Sequence, residues 1–342
     1  MALGMLALFA GLAGGLVRLG WTVPAVPSFT AFHGPLMVSG FLGTVIGLER
    51  AVALGRRWAY VAPLATGVGA LALAAGWPGG VWLLTLGSAV MTLVAAVIVT
   101  RQTALFTVVM AAGALCWLVG QTLWLAGWPI HRVVFWWIGF LVLTIAGERL
   151  ELTRLLPLGA TPRASFVGAA VALVAGLAWI SVAPDAGVRV VGVSLIALAV
   201  WLGVFDITRR TIRQSGLTRF IAVALLSGYA WLGVGGVVAL GAGATPAGLQ
   251  YDALLHAILL GFVFSMIFGH APIIFPAVLG VPIAYRPAFY AHLALLHASL
   301  VLRIAGDLAP WPFGRAWGGL LNGVAIVAFL ANTLYGALAS RE

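Results

Sequence analysis

Hydrophobic runs long enough to cross a bilayer follow one another along this chain, separated only by short polar breaks. Twelve can be marked, at residues 2–22, 30–53, 58–77, 80–100, 104–127, 131–152, 164–183, 188–207, 219–241, 252–276, 287–306 and 314–337. In hydrocarbon each backbone N–H and C=O must find its partner inside the protein, and a run of about twenty apolar residues does so as a helix. The expected fold is therefore an all-α integral membrane protein. It forms a single transmembrane domain over residues 1–342 with about twelve helices.

Composition agrees, at 63% hydrophobic and only 8% charged residues. A net charge of +10 would point to nucleic acid in a soluble protein. Here all 18 basic residues are Arg and they sit between the apolar runs, where they act as topology signals. No nucleic-acid partner is expected, and the main partner is membrane lipid. Arg56, Arg57, Arg101, Arg154, Arg163, Arg209, Arg210, Arg213, Arg219, Arg286 and Arg341 follow even-numbered spans. Far fewer arginines lie on the other side, so both termini are placed in the cytoplasm. The first span lacks a charged leader and reads as a retained helix. A single Cys116 excludes an internal disulfide and any cysteine-built metal centre.

Three of the spans look like copies of one another. Gly40-Phe41-Leu42 through Ile46 to Glu49-Arg50 aligns with Gly139-Phe140-Leu141 through Ile145 to Glu148-Arg149, with six of eleven columns identical. A third copy runs from Gly261-Phe262 through Ile267 to His270, with His in the Glu column. These are spans 2, 6 and 10, so the spacing predicts a pseudo-threefold array of four-helix units, roughly 1–102, 103–217 and 218–342. Glu-Arg pairs inside apolar sequence are expensive and mark either function or a structural ion pair.

Topology sorts the six histidines by depth. His33 on span 2 and His256 on span 10 both lie near the outer face, while His131 caps the outer end of span 6. His270 and His292 lie near the cytoplasmic face, and His297 near mid-membrane. Two neutral imidazoles at one depth can hold a planar b-type haem from both sides, as a low-spin centre. Small residues Gly34 and Gly40 leave room beside His33, and Arg18, Arg132 and Arg303 are the candidates for binding the haem propionates. Asp252, one turn before His256, can orient that imidazole. Asp307 is expected to pair with Arg303 or Arg315.

At the inner face Glu49, Glu148, His270 and His292 form the candidate second site. It would suit copper, non-haem iron or another metal, or serve proton or quinol chemistry. Glu–Arg pairing that locks helix ends is the competing structural role. His297 is a further candidate ligand, or a satisfied core histidine. On a regular helix Glu49 lies about 160° around from His33, so the second span needs a kink, which Pro35 can supply.

The segment His33-Gly34-Pro35-Leu36-Met37 resembles the His-Gly-x-x-Met signature of haem-copper oxidase subunit I. That family has twelve helices in three arcs and holds its low-spin haem with histidines of helices 2 and 10. The resemblance implies the same roles for His33 and His256. The second histidine on that helix 10 is replaced here by Leu254, and residues 142–148 and 165–183 contain no copper histidines. A binuclear oxygen- or nitric-oxide-reducing centre of that design is thus not expected. A second resemblance is to the NnrS family of haem- and copper-containing bacterial membrane proteins. It rests on Leu255-His256-Ala257 through Phe264-Ser265-Met266-Ile267 to His270-Ala271-Pro272-Ile273, and on Ala294-Leu295-Leu296-His297 through Leu302-Arg303. It implies a bacterial inner-membrane protein that handles nitric oxide or answers nitrosative stress. Its electrons would come from a quinol or a redox partner protein, since the chain has neither a Cys-x-x-Cys-His motif nor a nucleotide loop. The alternatives are a nitric-oxide-reductase-like or quinol-oxidising oxidoreductase, and a proton-coupled transporter without haem.

Overall fold

The computed structural model describes residues 1–154, 156 and 158–339, and among them every regular element is a helix. Twelve principal helices occupy the predicted places. We label them α1 (Ala2–Arg18), α2 (His33–Leu54), α3 (Val61–Ala74), α4 (Gly80–Arg101), α5 (Leu105–Leu125), α6 (Ile130–Thr153), α7 (Ala160–Ile180), α8 (Pro184–Phe205), α9 (Gly216–Ala242), α10 (Leu249–Val278), α11 (Phe289–Leu308) and α12 (Pro312–Ala339). Ten of these are long and apolar enough to span a bilayer. The other two fall short: α1 has 17 residues and α3 has 14. The protein is therefore an all-helical chain with the helices of a multi-pass membrane protein. Arg341, one of the arginines that set the topology, lies outside the described residues.

Local chemistry explains the helix ends. Pro184 opens α8, where a missing N–H removes nothing from the helix. Gly55 closes α2 and Gly280 follows α10, both in the left-handed conformation that glycine adopts without strain.

The chain separates into two compact units, Met1–Gly147 and Glu148–Glu342. In the first, α1 packs on α2 and α3, α3 on α4, and α4 on α5. In the second, neighbours in sequence pack in turn from α7 to α12. The boundary between the two units falls inside α6.

Two helices are not regular. Residues Leu36–Gly43 of α2 and Ala257–Phe264 of α10 are π-helical, eight residues each. In both segments the Gly-Phe pair of the sequence repeat (Gly40-Phe41 and Gly261-Phe262) occupies the fifth and sixth places, so the two π segments coincide column for column. The third copy, Gly139-Phe140, lies in the unbroken α-helix α6. The likeness of α2 and α10 is thus structural, and α6 shares only the sequence pattern.

In α2 the π segment begins directly after Pro35. Proline lacks the N–H that would bond Ala31, while Leu36 N–H still reaches Phe32 O at 2.9 Å. The expected kink is therefore a widened stretch of helix. A π turn inserts about one residue, which reduces the angle between His33 and Glu49 from about 160° to about 60°. The same insertion moves His270 from about 40° to about 140° around from His256, which separates their roles.

Candidate functional site

His33 opens α2 against the small-residue face of α1. Its Nδ1 lies 2.7 Å from the backbone oxygen of Gly11. A Cβ on Gly15 would come within 2.8 Å of His33 Cε1, so the ring rests where α1 carries no side chain. Gly14 allows the Phe29 backbone to approach just as closely. The glycines of α1 form the floor under the imidazole.

A carbonyl oxygen only accepts, so Nδ1 of His33 carries the proton and Nε2 carries the lone pair. His256 is set the same way, with Nδ1 donating to Asp252 O at 2.8 Å and lying 3.3 Å from Asp252 Oδ1. His270 donates from Nδ1 to Met266 O at 2.8 Å. All three present Nε2 in the tautomer that binds iron or another metal.

His292 and His297 are the reverse. Asn332 Nδ2–H donates to His292 Nδ1 at 3.1 Å, and Trp231 Nε1–H donates to His297 Nδ1 at 3.0 Å. Both donors lack a lone pair there, so the proton of each imidazole sits on Nε2. Among the described residues neither Nε2 has a hydrogen-bond partner, and neither can ligate a metal in this tautomer. His292 is 1% exposed and boxed by Phe268, Phe289, Phe329 and Phe220, with Phe268 edge-on at 4.9 Å. It is a packed core residue.

His270 has a different neighbour on Nε2. The Arg149 guanidinium reaches it at 3.4 Å. Arg149 also grips Asp206 with two hydrogen bonds of 2.8 Å, and both residues are nearly inaccessible. Tyr229 Oη–H and the Thr208 N–H donate to the same carboxylate at 3.2 and 2.8 Å. This is a fully hydrogen-bonded buried ion pair, the form in which buried charge is tolerated. Arg149 thereby takes Nε2 of His270, whose Nδ1 is already bonded to Met266 O.

The remaining predicted residues are placed as follows. Glu49 lies 3.9 Å from its neighbour Arg50. Arg50 lines a cleft with Met91, Val94, Ile98, Thr107 and Thr144. Glu148 begins the second unit on α6, beside Arg149. Among the described residues no group of three or more His, Cys, Asp or Glu side chains comes together to hold a metal ion. Arg18 ends α1 at an exposed position. Arg132 lies over the Trp128 ring at 5.9 Å. His131 sits beside it in the first turn of α6.

Arg303, one of the three arginines expected at the propionates, pairs with Asp252. Its guanidinium is 2.9–3.2 Å from both oxygens of Asp252, and the residue is 7% exposed. Arg315 approaches Asp252 at 3.7 Å and Asp307 at 2.9 Å, the latter being one of the two pairings expected. Asp252 thus links the first turn of α10 to α11 and α12 while touching the His256 ring.

A family model described as a domain of unknown function, DUF8744, matches residues 1–338. The chain belongs to the DUF8744 family. No curated protein matches it. The match of this DUF8744 protein covers both units and nearly all the described residues.

Three features of the DUF8744 chain escaped the sequence reading. Asp206 and Tyr229 stand 57 and 80 residues from Arg149, with no pattern joining them. The Gly11–Gly15 spacing is a small-x-x-x-small motif and could have flagged the close helix contact. The tautomers depend on partners that only the fold supplies.

Proposed function

We propose that this protein is a polytopic haem protein of the bacterial inner membrane, with His33 and His256 as axial ligands of a low-spin b haem. The observation that carries this reading is the shared setting of the two imidazoles. Each donates Nδ1–H to a backbone carbonyl, and each stands just before a π segment that widens its helix. Such segments gather at functional sites because they re-aim side chains at the cost of regular hydrogen bonding. Gly15 lets the His33 ring rest directly on α1, since a Cβ there would lie 2.8 Å from Cε1.

A haem here would supply one-electron chemistry or bind a small gas. The chain's own residues supply orientation. Gly11 O fixes the His33 ring, and Asp252 fixes His256 while Arg303 holds the carboxylate in place. Arg18 and Arg132 remain the cationic candidates for the propionates.

The reading extends to twelve spans with both termini in the cytoplasm, like the haem-copper oxidase subunit it resembles. It also includes the NnrS-like role in nitric oxide handling. The inner cluster is then a structural lock, with Arg149, Asp206 and His270 closing helix ends. A second reading, an oxidoreductase that takes electrons from a quinol, rests on the same haem. The test is the dithionite-reduced minus oxidised spectrum of purified protein, with haem quantified against protein. A b-type spectrum near one haem per chain supports the proposal. Protein that is folded and free of haem after expression with haem supplied contradicts it.

A further inference from the structure

Within the first unit, α5 and α6 face each other through two aromatic pairs. Trp117 stacks on Phe140 with centroids 4.8 Å apart, and Trp124 meets Trp137 edge-on at 5.6 Å. Gln121 lies between Trp117 and Trp124 in the sequence of α5, and its neighbour Gly120 is the residue that meets Trp137. All three side chains that matter here, Trp117, Gln121 and Trp137, are 0% exposed.

Gln121 is a strong polar group in an apolar place, and only half of it is accounted for. Its Nε2–H donates to Ser39 Oγ in the π segment of α2, which also accepts Trp117 Nε1–H at 3.2 Å. The carbonyl half therefore faces away from Ser39, and Oε1 has no partner among the described residues. On the opposite helix Trp137 Nε1–H has no partner either. A Cβ on Gly120, next to Gln121, would lie 2.9 Å from that nitrogen. The glycine thus lets the indole edge come down beside the glutamine.

One buried acceptor on α5 and one buried donor on α6 each lack what the other offers. A direct bond is not made. Leaving either group unmet in an apolar interior is strongly unfavourable. We propose that Gln121 and Trp137 form a binding site for a buried water molecule. The water accepts from Trp137 Nε1–H and donates to Gln121 Oε1. Through the glutamine amide and Ser39, it ties α5 and α6 to the π segment that follows His33. The guest must both give and take a hydrogen bond and be no larger than the gap between two ring pairs. That rules out a purely accepting gas molecule as a match for both groups.

The sign of one substitution decides the matter. Replacing Trp137 site-specifically with β-(3-benzothienyl)alanine keeps the ring's size and removes only the N–H. If that N–H holds a water, the full-length protein in nanodiscs loses several degrees of melting temperature. If the N–H is unmet, its removal raises the melting temperature, and a rise or no change overturns the proposal. The same analogue at Trp231 is the control: it must disturb His297, whose Nδ1 takes that N–H directly. A cryo-EM map resolving waters gives an independent readout. A peak within hydrogen-bond distance of both Gln121 Oε1 and Trp137 Nε1 is expected, and a featureless gap contradicts it. Neither readout depends on haem.

Discussion

The Nδ1 atom of His33 stands 2.7 Å from the backbone oxygen of Gly11, and that single contact fixes which ring nitrogen can bind a metal. The same logic applied along the chain divides the buried histidines into two chemical kinds. His33, His256 and His270 give a proton to a carbonyl, whereas His292 and His297 accept one from a side-chain donor.

The first consequence concerns His292 and His297. His292→Phe and His297→Phe should retain the wild-type haem content and visible spectrum. Their effect should appear as lowered thermal stability, since each removes the acceptor of a buried donor, worth about 1–3 kcal/mol. Loss of haem from either folded variant would show that the ring binds the cofactor.

Asp252 should behave differently from its neighbour Asp307. Asp252 Oδ1 is 3.3 Å from the His256 ring, and the carboxylate is held by Arg303. Asp252→Asn should weaken haem retention by roughly 10–100-fold, the usual effect of removing a partner that orients a ligand. Asp307→Asn, in the same charge cluster through Arg315, should leave it unchanged. Equal effects would mean that the cluster acts on stability alone.

The floor under His33 can be probed with the smallest of changes. Gly15→Ala places a methyl 2.8 Å from His33 Cε1, so the ring must move. Overpacking of this kind costs about 1–3 kcal/mol. The expected result is reduced haem content with the overall helix content preserved by circular dichroism. An unaltered haem-to-protein ratio would place the ligand ring elsewhere.

The Arg149–Asp206 pair gives a prediction about stability alone. Asp206→Asn leaves a buried guanidinium without its counter-charge and should cost about 3–5 kcal/mol. The double variant Arg149→Met/Asp206→Leu should recover much of that loss. Denaturation of single and double variants in the same detergent measures it. A double-variant loss equal to the sum of the two single-variant losses would show that the charges do not depend on one another.

Helix positions were legible in the sequence because bilayer-length apolar runs have one way to satisfy their backbone. The twelve predicted runs match α1 to α12 within a few residues at most ends. Length was less legible: α1 and α3 read as full spans, yet stop at 17 and 14 residues. The repeat located the two π segments without revealing them, since a shift in backbone hydrogen bonding leaves no mark on hydropathy. Asp307 with Arg315 was readable because the two are eight residues apart across one helix turn-around. Arg149 with Asp206 was not, because its two halves meet only after folding. The arginine expected at a propionate, Arg303, is committed to Asp252, a partnership that charge counting cannot separate from any other.

The most direct test is the visible and EPR spectrum of the oxidised protein beside its His33→Ala and His256→Ala variants. The wild type should show a six-coordinate low-spin haem. Each single variant should lose that signature, either as high-spin five-coordinate haem or as haem-free protein. A wild-type low-spin spectrum that survives both substitutions, or its absence from the haem-supplied wild type, would contradict ligation by His33 and His256.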